Sequence, residues 1–137
     1  MPQTRPFICL LATLAACMNP AQSRGLAVAD NHSQAQPDKV ILTHLDLDLA
    51  VDFPTRSLSG TATWKLRRLD LQAPLVMDVR EIDIASVRST KTGQALETYI
   101  SPQNAIFGSK LEIKLPPDVD EIAIAYRTRP EASGLQW

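Results

Sequence analysis

The sequence has little of what binding and catalytic sites are commonly built from. It contains 2 histidines and 2 cysteines, and its 14 Lys and Arg nearly cancel its 15 Asp and Glu, for a net charge of −1. Without a basic field the chain cannot hold a phosphate backbone electrostatically, which excludes nucleic acid as a partner. What remains is ordinary for a globular protein, with 45% hydrophobic residues in 137, enough for one domain.

Long apolar runs are also scarce. The one continuous stretch, residues 7–16, is well short of the roughly 20 residues that span a bilayer as a helix. Arg5 lies before it, and a basic residue followed by a short apolar run is typical of a secretory signal. The pattern predicts a signal peptide over residues 1–16 and export from the cytoplasm.

The apolar run ends in Leu14-Ala15-Ala16-Cys17, which resembles a lipobox, where bacteria acylate the cysteine and cleave before it. Each buried acyl methylene contributes about 0.8 kcal/mol, so several chains on Cys17 predict a lasting lipid anchor on the periplasmic or cell-surface side of a membrane. Met18 stands where aspartate would indicate inner-membrane retention, which favours the outer membrane. The alternative is ordinary signal-peptidase cleavage after Ala21-Gln22-Ser23.

Residues 17–39 are interpreted as the lipidated N-terminus and a flexible, disordered tether. They are mostly polar and small and include Pro20, Gly25 and Pro37, with no sustained apolar period. Cys9 would be removed with the signal, so the mature chain could form no internal disulfide. The folded part is expected over residues 40–137.

Alternation of apolar and polar residues predicts β-strands from residue 41 onward. In the first strand, one face carries Leu45, Leu47, Leu49, Val51 and Phe53. The opposite face carries His44, Asp46, Asp48 and Asp52. This strand is expected to be half-buried and to form a hairpin with residues 58–67, where Trp64 is expected in the core. The other predicted strands are 75–79, 82–88, 95–100, 110–115 and 121–128. About seven strands predict an all-β antiparallel sandwich.

No set of residues with catalytic spacing is visible. An HExxH helix, which places two imidazoles one turn apart for zinc, is absent from the sequence. His44, Asp46, Asp48 and Asp52 could be interpreted as a cation site, but alternate acidic positions are typical of a solvated sheet face, as are Asp78, Glu81 and Asp83. Serines at 57, 59, 101, 109 and 133 are expected in turns or loops, without a GxSxG elbow. We predict no catalytic and no metal-binding residue in this chain.

Three stretches resemble zinc aminopeptidases (gluzincins) of the aminopeptidase N and leukotriene hydrolase group, most of all the hydrolase branch. The first is residues 44–53 with Leu58-Ser59-Gly60-Thr61-Ala62, the second is residues 75–84, and the third is Tyr126-Arg127-Thr128-Arg129-Pro130-Glu131-Ala132-Ser133-Gly134-Leu135-Gln136-Trp137. Their order and spacing also match, and together they cover residues 40–137. The resemblance implies a saddle-shaped N-terminal β domain, incomplete at its C-terminal end.

The resemblance also implies a parent enzyme that removes N-terminal residues from peptides with zinc-activated water. Zinc, the peptide substrate and the catalytic residues are then expected only in a separate catalytic domain of the same parent. This chain, lacking HExxH, is predicted to be inactive alone, to shape the substrate cleft and to expose an apolar patch near Leu135 and Trp137. The alternative is a stand-alone membrane-anchored lipoprotein that uses the sandwich as a binding or assembly module.

Overall fold

The computed structural model describes residues 31–137, which form two antiparallel sheets. The seven strands are β1 (Val40–Asp52), β2 (Ser57–Arg68), β3 (Leu75–Val79), β4 (Ile82–Ser89), β5 (Thr98–Ile100), β6 (Ser109–Ile113) and β7 (Glu121–Thr128). The larger sheet has the order β1-β2-β7-β4 and the smaller one β3-β6-β5. The prediction of an all-β antiparallel domain with seven strands is confirmed. The described residues include no helix long and apolar enough to cross a membrane.

The β1–β2 hairpin is the longest feature of the larger sheet. Its register runs from Asp52 opposite Ser57 to Val40 opposite Arg68, with a bulge between Leu42 and His44. At the turn the carboxylate of Asp52 accepts the backbone N–H of Thr55 at 3.1 Å, a local side-chain-to-backbone bond of the kind that favours aspartate in turns. The hairpin therefore forms between the two strands that the alternation predicts.

The core lies where the smaller sheet covers the larger one. Leu111, Ile113 and Ile122 are fully buried there, and Trp64 packs partly buried against the same cluster. The smaller sheet is short, because β3 and β6 each span five residues and β5 spans three. It therefore covers one end of the larger sheet and leaves the hairpin end of β1 without a second layer.

Strand bounds differ from the sequence prediction mainly at β5. Its predicted start at Ala95 is reduced to an isolated bridge with Arg88, and regular pairing begins at Thr98. β6 ends at Ile113 rather than residue 115. Leu115 is nevertheless buried, so apolar alternation continued past the last paired residue.

The segment before β1 contacts the domain. The hydroxyl of Ser33 donates to a carboxylate oxygen of Asp78 at 2.6 Å, and the backbone N–H of Gln34 donates to the same carboxylate at 3.1 Å. The end of the predicted tether thus lies against β3. The predicted signal peptide, the lipidation site Cys17 and the tether up to residue 30 lie outside the described residues.

Candidate functional site

The residues weighed as a cation site do not converge. His44 Nε2 lies 3.1 Å from Asp46 Oδ1, and both side chains are exposed. Asp52 is engaged at the hairpin turn by Thr55. Within residues 31–137, no group of three or more His, Cys, Asp or Glu side chains is placed to hold a metal ion.

The second acidic group forms hydrogen bonds and ion pairs with neighbouring segments. It consists of Asp78, Glu81 and Asp83. Asp83 forms an ion pair with Arg129 at 2.7 Å, and Glu81 Oε2 accepts the backbone N–H of Ser133 at 2.6 Å. Because that N–H stabilises the charged form, and Arg80 and Arg129 add to it, the pKa of the Glu81 carboxyl lies below its usual value. Glu81 and Asp83 line a cavity of about 280 Å³ together with Arg129, but the contacts just described already engage both carboxylates.

Three of the five serines expected in turns or loops lie in strands instead. Ser57 and Ser59 belong to β2, and Ser109 opens β6. The Ser57 hydroxyl is buried and accepts a hydrogen bond from Arg127 at 2.9 Å. Ser57 lies opposite Asp52 on the polar face of β2, and Thr55 and Arg127 cover it there. No histidine contacts it among the contacts of the described residues.

A cavity of about 620 Å³ lies between β5 and the loop after β2. Its walls mix Leu71, Pro74 and Tyr99 with charged residues, and the Lys114–Glu97 ion pair beside it spans 3.1 Å. Both partners of that pair are about three-quarters exposed. Exposed ion pairs contribute little, and the cavity offers no convergent acid, base and nucleophile.

The apolar face of β1 is the most unusual surface, and here the expectation of a half-buried strand is wrong. The exposed fractions are 36% for Leu45, 52% for Leu47, 40% for Leu49, 53% for Val51 and 74% for Phe53. We call these five residues the β1 stripe. The alternation itself is correct, but the short second sheet does not reach them. Large contiguous apolar patches are rare on the surface of monomeric proteins, and they commonly mark a surface that meets a partner.

A groove of about 300 Å³ continues from the β1 stripe beneath the larger sheet. Its walls come from both sheets and include Leu45, Leu47, Trp64, Met77, Ile84 and Tyr126. Asp78 is the one charged residue among those that line it in the described structure, and Ser33 and Gln34 engage its carboxylate. The groove is therefore an opening of the core, suited to apolar side chains rather than to polar chemistry.

The C-terminal segment closes the far end of the β1 stripe. Its backbone is held at the β3–β4 turn, where Glu81 has a positive φ of 56° and its carbonyl accepts the N–H of Arg129 at 3.0 Å. The Trp137 ring then meets Phe53 edge-on, with ring centroids 6.0 Å apart. Trp137 is 41% exposed and Leu135 is half-buried. The predicted patch near Leu135 and Trp137 is thus present and adjoins the stripe.

These contacts bring the three family-like stretches together. Residues 44–53 comprise most of β1 and the first residue after it, and residues 75–84 form β3, its turn and the start of β4. Residues 126–137 join them through Ser133 on Glu81 and Trp137 on Phe53. The segment between β7 and Trp137 carried no periodic signal, so sequence pattern alone could not have placed it. Its resemblance to known proteins was the only signal that marked it.

Comparison with known sequences gives consistent relatives, although no protein-family model matches the chain. Leucine aminopeptidase 2 of Yarrowia lipolytica is 35% identical over 98 residues, covering 69% of this chain and 15% of that protein. Leukotriene A-4 hydrolase of Xenopus laevis is 30% identical over 116 residues, covering 80% and 19% respectively. This chain therefore spans less than a fifth of the length of either relative.

Solved structures give the same fold. Native leukotriene A4 hydrolase from Saccharomyces cerevisiae superposes with a TM-score of 0.69 at 23% identity, over 84% of this chain and 18% of that chain. The yeast enzyme in complex with bestatin gives a TM-score of 0.68 at 25% identity, over 80% and 17%.

Proposed function

The chain belongs to the family that includes leucine aminopeptidase 2 and leukotriene A-4 hydrolase, and it corresponds to their N-terminal β domain. We therefore propose that it is the non-catalytic β domain of an exported zinc metalloaminopeptidase. The parent enzyme would remove N-terminal residues from peptides. Zinc would supply activated water in its catalytic domain, and this domain would shape one wall of the substrate cleft.

The exposed β1 stripe is the observation that carries the proposal. A stripe of leucine, valine and phenylalanine joined to Trp137 is poorly suited to water, and burying it stabilises an assembly by about 25 cal/mol for each Å² removed from water. The matched region makes up 15% of one relative and 19% of the other, so both relatives are several times longer than it. We infer that the stripe packs against other parts of the parent, including its catalytic domain.

Export and anchoring are part of the same proposal. The layout of residues 1–16 supports secretion, and the resemblance of Leu14-Ala15-Ala16-Cys17 to a lipobox supports acylation of Cys17. The segment between Cys17 and the domain would set the folded part off the membrane, with the outer membrane favoured by Met18.

The β1 stripe can be tested with an apolar dye such as ANS, whose fluorescence rises on exposed hydrophobic surface. We expect the chain to bind the dye, and Leu47→Ser with Leu49→Ser to remove most of the signal. Leu69→Ser with Leu71→Ser is the matched control, since those leucines are 55% and 59% exposed outside the stripe. Equal loss in both double variants would contradict a stripe built for packing.

The non-catalytic role has its own test. The chain alone, with added zinc and aminoacyl chromogenic substrates, is expected to give no turnover, because the described residues bring no acid, base and metal-ligand set together. The matched positive reaction is a leucine aminopeptidase of the same family under the same conditions. Zinc-dependent turnover by this chain would overturn the assignment of a non-catalytic domain.

A further inference from the structure

The larger sheet has a second face, on the side away from the smaller sheet. Residues of β2 and β7 that alternate with the buried Leu66, Ile122 and Ile124 lie on this side. We call it the outer face. The strand register arranges its residues in rows that cross the sheet from β1 through β2 and β7 to β4. The four rows are His44, Lys65 and Glu121; Asp46, Thr63, Ala123 and Arg88; Asp48, Thr61, Ala125 and Ser86; and Ala50, Ser59, Arg127 and Asp83.

Charge is distributed unevenly across the outer face. Asp46 and Asp48 lie on β1 at one edge, and Arg88 lies on β4 at the other, all of them exposed. Asp83 is also on β4, but Arg129 neutralises it at 2.7 Å. Paired strands are about 4.8 Å apart, so three strand spacings separate Asp46 from Arg88 by roughly 14 Å, too far for an ion pair within the chain. One edge of the face is therefore acidic and the other basic.

The middle of the outer face carries small side chains. They occupy the positions of the two central strands between the row of Lys65 and Arg127, and they are Ser59, Thr61 and Thr63 of β2 and Ala123 and Ala125 of β7. Two sheets stack face to face at a separation of about 10 Å when the side chains between them leave room. The middle of the face therefore leaves room for a second sheet, and the charges around it decide its orientation.

A second copy of the same face matches these charges in one orientation. A two-fold axis that runs parallel to the strands, between β2 and β7, sets β1 of one copy over β4 of the other and keeps every row opposite its own counterpart. Asp46 then faces Arg88 of the second copy, and Lys65 faces Glu121 of the second copy, each contact occurring twice. None of the four rows opposes two charges of the same sign.

The other two-fold arrangement is disfavoured by charge. An axis that crosses the strands would lay β1 of one copy over β1 of the other, so that the exposed Asp46 and Asp48 of both copies would lie together. Like charges brought together across an interface are destabilising. Charge therefore selects the axis that is parallel to the strands.

We propose that the outer face is a self-association surface, on which two copies of this chain stack sheet on sheet about a two-fold axis parallel to the strands. Four strands and four rows give each copy a contact on the order of 500 Å², below the roughly 800 Å² for each partner of a standard interface. The dimer is therefore weak and reversible. The inference goes beyond the proposed function and does not depend on it, because the β1 stripe lies on the opposite face of the same sheet.

Sedimentation equilibrium of the chain measures the association. Every sample carries Leu47→Ser with Leu49→Ser, so that the β1 stripe does not contribute. We expect a monomer–dimer equilibrium with a dissociation constant on the order of 0.1 mM, which weakens at high salt because the contacts between copies are charged.

Charge reversal tests the orientation. Asp46→Arg and Arg88→Asp should each raise the dissociation constant by at least about tenfold, because each substitution sets two pairs of like charges against each other. Asp118→Arg is the matched control for Asp46→Arg, since Asp118 is exposed outside the face and its reversal changes the net charge equally. It should leave the dissociation constant unchanged.

Mixing the two single variants tests which residues face each other. An equimolar mixture of Asp46→Arg and Arg88→Asp should associate as tightly as the chain with both charges intact, because each reversed charge then meets its opposite on the other copy. The double variant Asp46→Arg with Arg88→Asp should recover association for the same reason. Circular dichroism of each variant shows whether the fold is retained, and the two recovery experiments cannot succeed with unfolded chains.

Three results would overturn the inference. They are a chain that stays monomeric up to about 1 mM, a dimer that neither single reversal weakens, and a mixture that associates no better than the single variants. None of them bears on the proposed function, which depends on the size and zinc-dependent activity of the parent enzyme.

Discussion

Gly60 lies in β2 opposite Leu49 of β1. A Cβ atom built at Gly60 would lie 1.9 Å from the carbonyl oxygen of Asp48, and a backbone atom of a paired strand cannot move aside cheaply. This is a physical reason for glycine within the family-like segment Leu58-Ser59-Gly60-Thr61-Ala62. The contact comes from pairing with another strand, so the sequence alone did not reveal it.

Gly60→Ala is therefore expected to lower the free energy of unfolding by about 1–3 kcal/mol, the usual cost of forcing extra atoms into a packed site. Gly134→Ala is the control, since a Cβ there meets nothing within 4 Å, and it should change stability little. Urea unfolding of both variants measures the difference. Equal stability of Gly60→Ala and the unsubstituted chain would show that the strands separate there without cost.

Glu81 gives the C-terminal segment a dependence on pH. The N–H of Ser133 holds the pKa of the Glu81 carboxyl below its ordinary value of 4.5. A lowered folded-state pKa means that the contact stabilises the fold above pH 4.5 and loses that contribution as pH falls through the folded value. We expect the Ser133 amide resonance to titrate with a midpoint below 4.5. Glu81→Gln should abolish that transition, and a midpoint at or above 4.5 would contradict the contact.

Cys17 carries the proposed anchor. Growth of the producing bacterium with an alkyne-labelled fatty acid should label the protein, and Cys17→Ser should abolish the label because the thiol is the attachment point. Cys9→Ser is the matched control, since Cys9 lies inside the apolar run of the signal, and it should retain the label. Unlabelled protein cleaved after Ser23 would support ordinary secretion.

The positions of the strands could be predicted from the local sequence pattern. Which strands a second sheet covers could not. Alternation placed all seven strands and the inward side of β1 correctly, since side chains alternate with a period of two in any strand. Whether that side meets a second sheet depends on the length of β3, β5 and β6 and on their position over the larger sheet. Those are properties of other segments, so they cannot be predicted from the sequence of β1.

The same difference predicts unequal costs of truncating two aliphatic residues. Ile122→Ala, at a fully buried position in β7, should destabilise the fold by about 2–5 kcal/mol through lost burial and a cavity. Leu47→Ala, at a position 52% exposed, should cost less than about 1 kcal/mol. Thermal or urea unfolding measures both. A comparable loss in Leu47→Ala would mean that the stripe is covered in the isolated chain.

The two ends of the described region differ in how far the second sheet covers the first. At the covered end the core lies between the two sheets. At the other, which we call the open end, the β1 stripe, the groove beneath it and Trp137 lie together. Composition and alternation predicted the fold class. The open end could not be predicted from them, because it depends on what the second sheet fails to cover.

The mass of the mature protein isolated from its native host tests the central claim most directly. If this chain is the β domain of a zinc aminopeptidase, an antibody against residues 31–137 should isolate a polypeptide several times larger, with zinc-dependent aminopeptidase activity and acyl chains on Cys17. A product of 121 residues from Cys17 to Trp137 (137 − 16), without peptidase activity, would contradict the claim and favour a stand-alone lipoprotein.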